Sequence, residues 1–306
     1  MHYTDFIAGF MKRYNYPQEA QSEFTRVLKR LDDDASFGAA FDAAGAEYTI
    51  PDAPCSLGSV LDNFTSVAGE YGENEYTLHF VFLLTLTEPL KKLYEQRGIG
   101  EDIYYATMDD LRCKLIECIK CEEVPGTFVG GWFDGFFRLR RFAYGRFQFE
   151  ESPYDFNLDY TCSCGKVLKK GDFALGFHIP SSGIPLTDEV RLDAYKKAYN
   201  AYKDRFPDGL AVFRCGSWLL YPRHREFLPE NSNILKFMDD FEICCWEEKQ
   251  GFPNGWRVFD KDSDLPYDKL PRDTSLRRAY ADWLLSGHNG GDGCGVIIFD
   301  GEKIVR

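Results

Sequence analysis

Apolar residues recur every three to four positions through the first 120 residues, the spacing that lays one apolar face along a helix. Phe6, Ile7, Phe10, Met11 and Tyr14 define the first such face. Pro17 suits the opening turn of a second helix over about residues 18–31, faced by Phe24, Val27, Leu28 and Leu31. Asp34 or Ser36 caps a third helix that ends near Gly45, and Pro51 and Pro54 mark a loop. A long helix runs through residues 78–90, is interrupted or restarted at Pro89, and stops at Gly98. Thr107 predicts the N-cap of the last helix, with Leu111, Leu115, Ile116 and Ile119 facing inward and Pro125-Gly126 as its stop.

The pattern then changes. Residues 128–150 are aromatic and alternating, with Gly130-Gly131 and Asp134-Gly135 as turn signals. Leu139, Phe142, Phe147 and Phe149 predict antiparallel strands. Strands follow at residues 173–179, 210–220, 240–246 and 294–299, and helices at 187–205, 222–227 and 274–286, the last capped by Thr274 or Asp273. The class is α+β: an all-helical domain over residues 1–125, then a mixed sheet flanked by helices over residues 126–306. There is no internal repeat and no low-complexity tract.

Composition narrows the function. A chain of 306 residues, 44% apolar and 28% charged, can bury a sizeable core and is not disordered in bulk. Its 36 basic and 49 acidic side chains leave a net charge of −13, which disfavours nucleic acid. Residues 1–125 hold 11 basic and 22 acidic groups and the rest hold 25 and 27, so an anionic ligand is better received by the second half. Residues 1–5 lack a basic start followed by an apolar stretch, so the ten cysteines read as reduced thiols and the protein as cytoplasmic. The most apolar run, residues 76–90, falls short of the roughly 20 residues a bilayer needs, so no membrane span is expected.

Several constellations invite chemistry. Cys113, Cys118 and Cys121, and Cys162 with Cys164, have neither the spacing nor the pairing of a tetrahedral zinc site. They read as small packed groups, and no metal is expected. Gly287, Gly290, Gly291, Gly293 and Gly295 do not follow a phosphate-loop pattern and read as a flexible turn before the last strand. Arg138, Arg140, Arg141 and Arg146 lie in an acid-free stretch; they suit either an anion or a solvated strand face. Ser217, in Cys215-Gly216-Ser217-Trp218, is not a nucleophile elbow. His178 ends a strand and precedes Pro180-Ser181-Ser182-Gly183 and a helix that starts near Thr187. That order makes an anion site from backbone N–H groups.

Five segments, in this order, resemble a bacterial acyltransferase-domain family. They are Tyr144-Gly145-Arg146-Phe147-Gln148-Phe149-Glu150; His178-Ile179-Pro180-Ser181-Ser182-Gly183 with Pro185-Leu186-Thr187; Ser217-Trp218-Leu219-Leu220; Leu228-Pro229-Glu230-Asn231-Ser232-Asn233-Ile234; and Leu270-Pro271 with Thr274-Ser275-Leu276. That family joins a helical N-terminal domain to a GNAT-like C-terminal domain. The resemblance implies a GNAT-like mixed sheet in which two parallel strands splay, residues 173–179 and 210–220. It also implies acyl-CoA or acetyl-CoA as co-substrate, with the pyrophosphate at Pro180, Ser181, Ser182, Gly183 and Thr187, and a small-molecule amine as acceptor. Transfer would be by direct attack on the thioester. His178 or Glu242 would be the base, a backbone N–H beyond His178 the oxyanion donor, and Tyr221 the acid for the thiolate. Cys215 and Ser217 would lie near the acyl carbon. The loop departs from the usual Gln/Arg-x-x-Gly-x-Gly/Ala: it keeps one glycine, and Pro185 removes a donor. The alternative is a non-catalytic ligand- or partner-binding protein on the same fold. Acceptor, acyl length and oligomeric state are not written in the sequence.

Overall fold

The most apolar segment becomes the central helix of the first half. The computed structural model describes residues 4–156 and 159–306. Residues 1–3, part of the expected absence of a secretory start, lie outside the described residues. Two units separate, Met1–Phe142 and Ala143–Arg306.

The first unit holds α1 (Thr4–Arg13), α2 (Gln18–Asp33), α3 (Ala35–Gly45), α4 (Leu57–Tyr71), α5 (Glu75–Gln96) and α6 (Glu101–Glu122). Asp34 ends α2 and caps α3, its side chain accepting from the N–H groups of Ser36 and Phe37. Leu78, Phe80, Val81, Phe82, Leu83 and Leu84 are buried on every side of α5, as befits a core helix. Pro89 does not interrupt α5. The packed surroundings hold the turn, and the Tyr104 hydroxyl donates to the Thr87 carbonyl (2.8 Å) just before it. Thr107 is not an N-cap: α6 starts six residues earlier, where Glu101 and Asp102 suit the positive end of the helix, and Thr107 is buried within it.

The strands expected around Phe142, Phe147 and Phe149 form at Arg141–Tyr144 and Phe147–Glu151, while residues 130–137, which carry the turn signals, join no strand. They form a 3-10 turn (Gly130–Phe133) and a short helix α7 (Asp134–Phe137), and Phe133, Phe136 and Phe137 enter the helical core. Their separations of three, one and four positions suit one side of a helical turn, which puts all three rings in that core. Asp134 organises the turn, accepting from the Leu57 N–H (3.1 Å), the Tyr48 hydroxyl (3.0 Å) and Arg138 (2.8 Å). Arg140 also pairs with Asp134, and the Arg141 guanidinium lies 4.0 Å from the Trp132 ring centroid. With Arg146 bonded to the Ile184 carbonyl, all four clustered arginines are held within the chain.

The second unit is built on a six-stranded sheet of order β1-β2-β5-β6-β8-β7. Its strands are β1 (Arg141–Tyr144), β2 (Phe147–Glu151), β5 (Leu175–His178), β6 (Ala211–Ser217), β7 (Glu242–Lys249) and β8 (Gly290–Phe299); a separate hairpin pairs β3 (Tyr160–Thr161) with β4 (Val167–Leu168). Helix α8 (Asp188–Tyr202) crosses over from β5 to the parallel β6. Alternation sorts the sheet. Phe147, Phe149, Leu175, Phe177, Phe213 and Cys215 pack with α8 residues Ala194, Tyr195 and Ala198, while Ala174, Val212, Val296 and Ile298 pack with Tyr154 and Cys162 on the other face. Short helices α9 (His224–Phe227), α10 (Asn233–Met238) and α11 (Trp256–Phe259) precede α12 (Ser275–Leu285), which Thr274 caps.

Of the five clustered glycines, Gly287 lies in a turn with a φ of +87°, and the other four do not. Gly290, Gly291, Gly293 and Gly295 lie in β8. A Cβ at Gly293 would stand 2.0 Å from the Leu220 carbonyl oxygen, and one at Gly291 would stand 2.4 Å from the Tyr221 ring. Their small size lets the segment after β6 fold flat onto β8.

Two predictions follow from this packing. Gly293→Ala should cost about 1–3 kcal/mol, because backbone rather than a pliant side chain must move; a urea midpoint unchanged from the parent would refute it. His224 is buried among Trp218, Tyr221, Phe227 and Tyr280, and burial pushes its pKa down from 6.5 to about 4. The folded chain keeps it neutral while the unfolded chain protonates it. Its contribution is therefore full above about pH 6.5 and is lost as pH falls toward about 4, by at most about 3 kcal/mol. Denaturant titrations across that window should show a shallower slope for His224→Gln than for the parent.

Candidate functional site

The two parallel strands at the centre of the sheet are paired for two rungs only, Leu175 with Phe213 and Gly176 with Arg214. Beyond them each strand keeps its outer partner. Phe177 and His178 remain opposite Phe149 and Gln148 on β2, and Cys215, Gly216 and Ser217 remain opposite Gly295, Cys294 and Gly293 on β8. The ladder between β5 and β6 thus opens while the sheet on either side stays closed, leaving two strand edges facing one gap.

The loop after β5 is held from beneath. Arg146, in the turn between β1 and β2, donates from Nε to the Ile184 carbonyl (3.0 Å), and Arg191 on α8 donates from Nη1 to the Leu186 carbonyl (2.7 Å). Gly145 permits the approach of that turn: its φ is +63°, and a Cβ there would stand 3.0 Å from Ala194. Within the loop the Ile184 N–H donates to Ser182 Oγ (3.3 Å), and Gly183 has a φ of +80°. Ser181 and Gly183 are exposed, while Pro180, Ser182 and Thr187 are half-buried. Thr187 occupies the N-cap position of α8 without a side-chain cap, so no hydroxyl of its own covers the first-turn N–H groups. Asp188 and Glu189 stand in that first turn, Asp188 paired with Arg191 at 3.1 Å.

His178 lies on the sheet face opposite α8, half-buried, with Nε2 2.8 Å from Glu150 Oε1. The pair fixes the ring: a carboxylate accepting from Nε2–H leaves the basic lone pair on Nδ1. Gln148, directly across from His178 in the ladder, is only 1% exposed. Sequence reasoning missed Glu150 and Gln148 as site residues. Their i, i+2 spacing on a predicted strand placed them on one face, but their meeting with His178 depends on the strand register.

Of the other candidates, Cys215 and Ser217 lie on β6 beyond its last rung with β5, as expected, and each of the four has its own bonding or packing. Glu242 accepts from the Ser163 N–H (2.9 Å), the Ser163 hydroxyl (2.6 Å) and the Tyr160 hydroxyl (3.1 Å), tying the β3–β4 hairpin to the edge strand β7. Tyr221 donates to Glu248 on β7 (2.8 Å), and burial beside that carboxylate pushes its pKa up to about 12. Ser217 Oγ accepts from the Leu219 N–H (3.2 Å). Cys215 packs among the rings on the α8 face, where burial pushes its thiol up to about 12. The pleat therefore puts Cys215 on the opposite face from His178. The ten cysteines form no disulfide, and among the described residues no group of three or more His, Cys, Asp or Glu could hold a metal ion. Among the described residues no helix is long and apolar enough to cross a membrane.

Comparison with known proteins agrees with this fold. Residues 141–297 match the model of a GNAT-like C-terminal domain, and residues 5–139 that of an N-acyltransferase N-terminal domain. The fold is similar to that of an acyltransferase solved in complex with decanoyl-CoA and teicoplanin, at 20% identity and a TM-score of 0.68, over 95% of this chain and 86% of that one. It is also similar to a mutant acyltransferase in complex with octanoyl-CoA (20% identity, TM-score 0.68, 94% and 86% of the chains), and to an acyltransferase in complex with decanoyl-CoA (19%, 0.58, 95% and 98%). No curated protein matches the chain by sequence.

Burial and exposure make the thiols distinguishable. Cys245 is exposed and Cys215 buried, and the thiolate is the reactive form. Alkylation of the native protein at neutral pH should label Cys245 well before Cys215, read by peptide mass mapping. Equal labelling rates would contradict the packing of Cys215.

Proposed function

The chain belongs to the acyltransferase family that joins an N-acyltransferase N-terminal domain to a GNAT-like C-terminal domain, and from that premise we propose that it transfers an acyl group from a coenzyme A thioester to an amine by direct attack. The parting of β5 and β6 carries the reading: a ladder that opens between two strands, each still held on its outer side, offers unpaired backbone to an extended ligand. The pantetheine arm lies in that gap. The pyrophosphate meets the loop of Pro180, Ser181, Ser182, Gly183 and Thr187 and the first turn of α8. Pro180 and Pro185 supply no N–H, and that of Ile184 is taken by Ser182. The donors are then the N–H groups of Ser182 and Gly183, those of the helix start, and the Ser182 and Thr187 hydroxyls. Arg146 beneath the loop supplies positive potential, while Arg191, neutralised by Asp240 and Asp188, holds the loop through the Leu186 carbonyl.

His178 is the base. Glu150 holds Nε2–H, and Nδ1 takes a proton from the acceptor nitrogen as it attacks the thioester carbon. The new C–N bond forms, a backbone N–H beyond His178 holds the oxyanion, and collapse breaks the C–S bond. The thiolate leaves with coenzyme A and is protonated by the imidazolium or from solvent. Glu242 and Tyr221, spent on Ser163 and Glu248, act as scaffold in this reading, and Cys215 and Ser217 as packing and turn residues. The decanoyl-CoA and octanoyl-CoA of the neighbouring structures support a medium-length acyl donor.

A thermal-shift titration with coenzyme A, acetyl-CoA and decanoyl-CoA tests this. At a hundred times the dissociation constant, a ligand of the folded state adds about 2.7 kcal/mol. Ser182→Asp should abolish the shift. His178→Ala should keep it while turnover falls roughly 10²- to 10⁴-fold. No shift with any donor overturns the proposal. A shift with no transfer to any amine returns the non-catalytic binding reading.

A further inference from the structure

On the face of the sheet opposite α8, three polar side chains stand together at the rungs where β5 begins to leave β6. His178 and Glu150 are bonded to one another at 2.8 Å. Gln148 completes the group. It is the ladder partner of His178, so the two side chains leave the same face roughly 5 Å apart at Cβ. Glu150 follows two residues on and shares that face. Yet Gln148 is 1% exposed, and its Oε1 has no hydrogen-bond partner among the described residues. Buried amide oxygens left without a partner are rare, because burial strips them of water and nothing offsets the loss. The ladder leads Gln148 to the general base of the proposed reaction rather than to a structural partner.

We infer that Gln148 is the acceptor-selecting residue of this site: its amide oxygen receives one N–H of a primary amine while His178 takes the other. The inference rests on the acyl-transfer reading above. A primary amine attacking through its lone pair has two N–H bonds to give, one to each acceptor. An alcohol has a single O–H, which the base consumes, leaving Gln148 facing lone pairs. A secondary amine is deficient in the same way. A buried acceptor that one substrate satisfies and another leaves unpaired is a strong basis for discrimination. Gln148 thus selects primary amines over secondary amines and alcohols of the same shape.

The test uses the full chain, decanoyl-CoA as donor, and octylamine, N-methyloctylamine and octanol as matched acceptors, with thiol release as readout. The parent should prefer octylamine. Gln148→Met, close in shape but without the amide, should lower kcat/KM for octylamine roughly 10- to 100-fold, mainly through KM for the amine. It should leave the dissociation constant for decanoyl-CoA unchanged, and Tm without ligand should hold or rise. Gln148→Glu, which keeps an oxygen at the tip, should retain the preference. An unchanged preference in Gln148→Met, or its loss in Gln148→Glu, overturns the assignment while donor binding leaves the acyl-transfer reading intact. A Gln148→Met variant with lower Tm and an unchanged preference marks the amide as structural and overturns it too. Failure of the parent to bind coenzyme A, acetyl-CoA and decanoyl-CoA alike overturns the acyl-transfer reading and takes this inference with it; where only a shorter donor binds, that donor replaces decanoyl-CoA in the assay.

Discussion

The parallel ladder between β5 and β6 ends at Gly176 and Arg214, while four rungs bind β5 to β2 and seven bind β6 to β8. Antiparallel pairing is somewhat the stronger of the two per residue. The sheet therefore opens at its weaker seam and keeps its stronger ones. Everything at the candidate site is placed by that opening. The loop that follows β5 starts at the rim of the gap, α8 begins beside it, and the last residue of β5 carries the imidazole.

The opening persists because its flanks are rigid. On one side Arg146 and Arg191 tie the loop to the β1–β2 turn and to α8 through backbone carbonyls, and Arg191 is itself anchored by Asp240 (2.6 Å). On the other, the glycines of β8 admit Leu220 and Tyr221 at distances no side chain would allow, which turns the chain sharply after Ser217. Neither flank is a catalytic device. Both restrict how far β5 and β6 could close on each other, and such restriction is what positions reacting groups.

Much of this was legible along the chain. The apolar spacing of the first 120 residues located five of the six helices, since burying one face of each is a local demand; α4 (Leu57–Tyr71) was not read from it. The strand, loop and helix around His178 were readable from apolar alternation ending in Pro180 and a run of small residues. The misreadings share a cause. Gly290 to Gly295 read as a turn because glycine favours turns, yet here it serves close packing against residues some seventy positions away. Leu139 read as a strand residue from its aromatic, alternating stretch, yet it lies before β1 with a φ of +54° and packs against the helical core. Thr107 had the chemistry of a cap, and two acids five and six residues earlier had the better claim to the helix start.

By itself the sequence determined which residues are apolar on which face, where most of the helices lie, and that His178 stands at a strand end before a loop suited to an anion. These follow from side-chain periodicity and local backbone preference, which act over a few residues. Tertiary structure alone decided the partners. The register of β2 against β5 set Glu150 and Gln148 beside His178, and the pleat sent Cys215 to the other face. Bonds to Ser163 and to Glu248 occupied Glu242 and Tyr221. A one-residue change in register would have reversed each of these placements without altering any local preference.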